Sequence, residues 1–110
     1  MNFNIVATEP FERKLKRLAK KYKSIKADLG IIIAELEVNP TLGTPIGKDC
    51  YKIRVAITSK GRGKSGGARM ITYIRILKNM VFLMDIYDKS EQANISDKEM
   101  KMLIDILTQE

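Results

Sequence analysis

Seven lysines and arginines stand between positions 48 and 69, namely Lys48, Lys52, Arg54, Lys60, Arg62, Lys64 and Arg69, against a single acid, Asp49. Two strand-like runs, Tyr51 to Ile57 and Arg69 to Leu77, flank a turn over residues 59–67 in which four of nine residues are glycine. A strand keeps its side chains in period-two register, so Lys52 and Arg54 point to one face. Arg69 follows Gly66 and Gly67 directly, where the missing side chains let a backbone or substrate come close. It is expected on the adjoining strand, on the same solvent-facing surface. Such a face suits a polyanion, and no metal or cofactor is needed to hold one.

Composition narrows the chemistry further. The chain has 110 residues, enough for one domain (residues 1–110) with a real core and no disulfides. It has no histidine, which excludes Ser-His and Cys-His catalysis, histidine metal sites and an imidazole acid–base pair. The single Cys50 allows neither a disulfide framework nor a zinc cluster, and reads as a small buried hydrophobe. No run approaches the ~20 apolar residues of a membrane span, and the N-terminus is not signal-like. The expected setting is cytoplasmic, with no cofactor and no membrane partner. The net charge of +7 is uneven: residues 8–26 carry eight Lys/Arg against Glu9 and Glu12, and residues 27–45 carry none. That balance favours nucleic acid or an acidic protein as partner, although a Lys-rich helix can also be simply a solvated face.

The elements that must position these cations follow from spacing. Asn2 to Ala7 alternates as a strand. Thr8 is a good N-cap for a helix bearing Phe11, Leu15, Leu18 and Tyr22. Ser24 opens a second helix with Ile25, Leu29, Ile32, Ile33 and Leu36, stopped by Asn39-Pro40. The two form an antiparallel hairpin. Residues 39–48 read as loop. Lys78-Asn79 reads as a two-residue hairpin turn, and Met80 to Tyr87 as an interior strand, apolar on both faces apart from Asp85. Ser96 and Glu99 form a capping box for a last helix. The order is β-α-α-β-β-β-α. It is an α+β domain whose mostly antiparallel sheet is packed by an N-terminal helical hairpin.

The order and the motifs together resemble the RelE/ParE superfamily of bacterial toxins, its HigB-like branch most closely. The carriers are Tyr51-Lys-Ile-Arg54, the basic turn from Lys60 to Gly67, Arg69, the run Ile86-Tyr-Asp-Lys-Ser-Glu91 and Asn94-Ile-Ser96. The resemblance covers essentially the whole chain. It implies a type II toxin that cleaves mRNA on the ribosome without a metal. It also implies a cognate antitoxin, a helix-turn-helix DNA-binding protein, that holds the toxin inactive. By position, Lys52 and Arg54 match the family's paired cations, Arg69 its phosphate-binding arginine, and Lys89 the basic segment after the last strand. These four are the expected catalytic residues. The family tyrosine near the terminal helix is absent, since residues 93–97 read Ala-Asn-Ile-Ser-Asp.

The residue chemistry is compatible with that activity. Metal-free RNA cleavage activates the ribose 2′-OH, stabilises charge on the phosphoryl oxygens and protonates the leaving 5′ oxygen. Without histidine these tasks fall to Lys, Arg, Tyr, Asp or Glu. Lys60, Arg62 and Lys64 are expected to contact RNA electrostatically, with Tyr73 joining them from the sheet. Tyr73 and Tyr87 otherwise read as core aromatics, Asp85 as a hydrogen-bonded structural acid, and Glu91 as a partner for Lys89. Two other functions stay open: a ParE-like gyrase poison that cleaves nothing, and a non-catalytic RNA- or ribosome-binding module.

Overall fold

A computed structural model describes residues 2–60 and 66–108. Strand β1 (Asn4–Ala7) leads into helices α1 (Glu9–Lys21) and α2 (Ile25–Val38), then β2 (Thr44–Gly47), β3 (Cys50–Val55), β4 (Ala68–Arg75), β5 (Met80–Asp88) and α3 (Asp97–Thr108). The sheet order is β1-β5-β4-β3-β2. Only the β1–β5 pair is parallel; the other three are antiparallel. The α+β class, the helical hairpin and the mostly antiparallel sheet are therefore as expected.

The two faces of the sheet bury different partners. Ile53, Val55, Met70, Ile74, Leu83 and Ile86 meet Phe11, Leu18, Ile25, Leu29 and Leu36 of the hairpin. On the other face Cys50, Ile71, Met84 and Tyr87 meet Met100 and the partly buried stripe of α3. The caps follow the sequence. The Thr8 hydroxyl accepts from the Phe11 N–H, and Ser96 Oγ accepts from the Glu99 N–H at 3.1 Å. Ser24 departs from its expected capping role. It donates instead to Asp28 Oδ2 at 2.8 Å and accepts from the Ser59 N–H at 2.7 Å, tying α2 to the 3-10 turn Thr58–Lys60 that follows β3.

Two local expectations are corrected. The stretch read as loop contains β2, an edge strand of four residues with a register shift and Pro45 inside it. A strand this short, with proline on the open edge, leaves no period-two signal. It joins β3 through Lys48 and Asp49, both at positive φ (55° and 62°), which matches the right-handed strand twist as a primed turn does. At the other hairpin β4 stops at Arg75, and Ile76–Lys78 form a 3-10 turn closed by Asn79 at φ 52°. Leu77 is consequently wholly exposed, not a strand residue.

Candidate active site

Pairing across β3, β4 and β5 assembles a row. Arg54 faces Arg69, and Arg69 faces Tyr87. Directly opposed residues in such pairs lie about 4.5–5.5 Å apart at Cα. The adjacent row is Lys52, Ile71 and Asp85. Register thus unites three of the four expected catalytic residues on one sheet surface. Lys89 lies one residue beyond β5, with its N–H donating to Gly67 O at 3.1 Å, so its backbone borders the same end of the sheet.

Arg69 is not the solvent-face residue that the sequence suggested. It is only 3 % exposed, and its Nη1 donates to Ala68 O at 3.0 Å. Burial, then the charge of Arg54, lower its pKa, and the negative end of Tyr87 partly offsets them. Arginine nevertheless stays protonated at any physiological pH. Arg54 is exposed, and no ion pair holds it among the described residues. Lys52 is half-buried and its Nζ donates to Asn94 Oδ1 at 3.0 Å, which ties the segment before α3 to the sheet.

Tyr87, read from the sequence as a core aromatic, is buried and also stands beside Arg69. It is 5 % exposed, and its hydroxyl has no hydrogen-bond partner among the described residues. Burial, then the nearby Asp85 charge, raise its pKa, and Arg69 works against them. The hydroxyl therefore keeps its proton at neutral pH. The signal available in the sequence was its position two residues from Asp85 on a strand otherwise apolar.

Other expected residues are put to different use. Lys60 Nζ donates to Asp88 Oδ1 at 3.0 Å and lies 5.3 Å from the centre of the Tyr22 ring. Asp88, itself 2 % exposed, also accepts from Tyr22 Oη at 2.5 Å and from Ser90 Oγ at 2.7 Å. Burial alone would raise its pKa, but the bonds from Tyr22, Ser90 and Lys60 outweigh it and hold the carboxyl well below the usual range. Lys60 is thus committed to a structural ion pair at the mouth of the Gly-rich segment. Arg62 and Lys64 lie outside the described residues. Tyr73 pairs with Cys50 and packs near Phe82, centroids 6.2 Å apart. Four residues along β4 from Arg69, at ~3.4 Å each, it stands far from the row. Glu91 pairs with Lys21 at 3.1 Å, not with Lys89. Asp85 accepts from Lys14 Nζ at 2.6 Å, a structural bond from α1 to β5. Cys50 is buried, and burial, then Asp49, push its thiol up to about 11, as an inert hydrophobe should behave.

Gly67 is required by packing. A Cβ there would lie 2.0 Å from Val55 O, so only glycine lets β4 start flush against β3 with Arg69 opposite Arg54. Among the described residues no group of three or more His, Cys, Asp or Glu side chains is arranged to hold a metal ion, and no helix is long and apolar enough to cross a membrane.

The five-stranded mixed sheet, flanked by a helical hairpin and a terminal helix, is a RelE-like fold. A double arginine-to-alanine mutant of the E. coli toxin RelE in its free state matches at TM-score 0.61 and 22% identity, covering 84% of this chain and 90% of that one. The isolated E. coli RelE toxin matches at TM-score 0.58 and 20% identity, covering 94% and 98%. The sequence pattern of the RelE toxin of the RelE/RelB toxin–antitoxin system matches residues 11–109, and the chain belongs to that family.

Proposed function

We propose that this chain is a ribosome-dependent mRNA endoribonuclease that works without a metal ion, the toxin of a type II pair. The observation that carries the reading is the Arg54–Arg69 pair. Like charges directly opposite on neighbouring strands destabilise a sheet, and one of these is buried. An anion bound between them reverses that penalty. The phosphate of a cleaved linkage supplies it, with additional charge in the transition state.

In this reading Arg69 clamps the phosphoryl oxygens through its fixed fork. Arg54 and Lys52 share the developing charge, and Lys89 extends the cationic surface toward the strand end. The 2′-OH loses its proton to solvent water as its oxygen bonds to phosphorus. The P–O5′ bond breaks and the 5′ oxygen takes up a proton, leaving a 2′,3′-cyclic phosphate. Tyr87, protonated and beside Arg69, is the group we assign to that proton. We place the chain in the HigB-like branch on its own motif series taken together, no single motif carrying it.

The test is cleavage of a defined message on purified ribosomes with EDTA present. Cyclic or 3′ phosphate ends are expected. EDTA-sensitive activity or 3′-hydroxyl ends overturn the mechanism. Intact messages with induced DNA damage would point to gyrase instead.

A further inference from the structure

Beside the cation row, the outer edge of β3 is left open. Strand β2 pairs with it only as far as Thr44 opposite Lys52. There Gly43, at φ 100°, turns the chain away; a Cβ on it would meet Lys52 O at 2.5 Å. That contact shows that the Lys52 carbonyl points outward, away from β4. By strand alternation the N–H and C=O of Arg54 point outward too. No backbone or side-chain hydrogen bond to those two groups is made among the described residues.

The space they face is a groove of about 470 Å³ between β3 and α2. Ile31, Ile32 and Glu35 of α2 form one wall, Leu42 an end, and Lys52 and Arg54 the rim on the sheet side. Ile31 is 68 % exposed, a large apolar side chain turned to an empty slot.

We propose that this slot takes a short extended peptide segment of the antitoxin, added as a strand along β3. The inference rests on the reading of the chain as a toxin with a protein antitoxin. Unpaired strand edges are templates for pairing. The chemistry on the two sides dictates the guest's pattern. Side chains on the Lys52–Arg54 side must be acidic, and the alternate ones, facing Ile31 and Ile32, apolar. The slot opposes the strand from Arg54 to about Ala56, so about three guest residues fit at ~3.4 Å each. A carboxylate set there neutralises Arg54 directly, so the peptide blocks the phosphate position by charge as well as by bulk. RNA fits the slot less well, because Asp28 and Glu35 line it and no aromatic side chain is there to stack a base.

Hydrogen exchange at the Arg54 amide tests this in the complex with the co-encoded antitoxin, and separately with the blocked peptide acetyl-EVEVE-amide. Protection of that amide by both, and not by a single-stranded oligonucleotide, is expected. Ile31→Ser, which removes apolar surface from the slot and adds no charge beside Arg54, should weaken antitoxin binding about tenfold or more while the free variant cleaves RNA at the wild-type rate. An Arg54 amide that exchanges equally fast in the free protein and in the antitoxin complex overturns the slot. So does protection by the oligonucleotide alone. Protection by antitoxin in a chain that cleaves no RNA would leave the slot standing and defeat the catalytic reading instead.

Discussion

Replacing Arg69 with alanine should separate chemistry from stability. The substitution removes the charge-assisted hydrogen bond to Ala68 O, worth about 1.5–3 kcal/mol. It also removes the packing of a buried aliphatic stem, worth about 1–2 kcal/mol. Against these losses, it relieves a desolvated cation held opposite Arg54. The terms oppose one another, so the variant should stay cooperatively folded with a net loss of about 3 kcal/mol or less. Catalysis has no such compensation. Removing a preorganised donor from a phosphoryl transition state costs on the order of 10²–10³ in rate. Arg69→Lys keeps the charge but loses the two-pronged geometry, and should fall between. Urea unfolding gives the first quantity, and single-turnover cleavage on programmed ribosomes the second. A cooperatively folded Arg69→Ala protein that cleaves at nearly the wild-type rate would refute the assignment of the row as the active site.

Three further outcomes follow from particular contacts. Tyr87→Phe deletes a buried hydroxyl with no hydrogen-bond partner among the described residues, so it should raise stability by about 1 kcal/mol; slower cleavage in the same variant would mark the hydroxyl as the proton source, and unchanged cleavage would remove it from the mechanism. Asp88→Asn should cost about 2–3 kcal/mol at pH 7 by weakening bonds to a charged acceptor. Because folding lowers the Asp88 pKa, that contribution is complete above the ordinary carboxylate value of ~3.9 and is lost as pH falls below it, so wild type and variant should converge in acid melts. Gly67→Ala forces a methyl onto Val55 O and should cost about 3 kcal/mol in thermal or urea unfolding, with cleavage lost as β3 and β4 separate.

The sequence carried the periodic parts of this molecule and lost the contextual ones. Helical spacing of Phe11, Leu15 and Leu18, and alternation around Ile53 and Val55, are local signals, and both faces were assigned correctly from them. The edge strand β2 was missed because four residues with a proline contain no repeat to detect. Within the site, Lys52 and Arg54 were legible because they share one strand. That Arg69 lies beside them was inferable from the hairpin, but its burial was not. Burial comes from the close approach at Gly67 and from the neighbouring strand β5, neither of which spacing reveals. Lys60 shows a contact that spacing cannot reveal. Its charge suggests RNA, and its partner Asp88, 28 residues away in the chain, closes an ion pair that no local pattern signals.

Asp88 also explains how a Gly-rich segment can border an ordered site. Lys60, just before it, is bonded to the Asp88 carboxylate, and Gly67, just after it, accepts from the Lys89 N–H. Both anchors sit on consecutive residues at the end of β5, one residue past Tyr87 and opposite the start of β4. The glycine content of the segment therefore does not loosen Arg69, because the chain is fixed again before Arg69 is reached. Rigid placement matters here for an energetic reason. Two cations opposed across strands would otherwise turn apart to relieve their repulsion, and the site would lose the preorganisation that makes it favour an anion. In the mechanism we propose, the buried carboxylate acts at a distance from the phosphate, by fixing the chain on both sides of the segment that leads to Arg69.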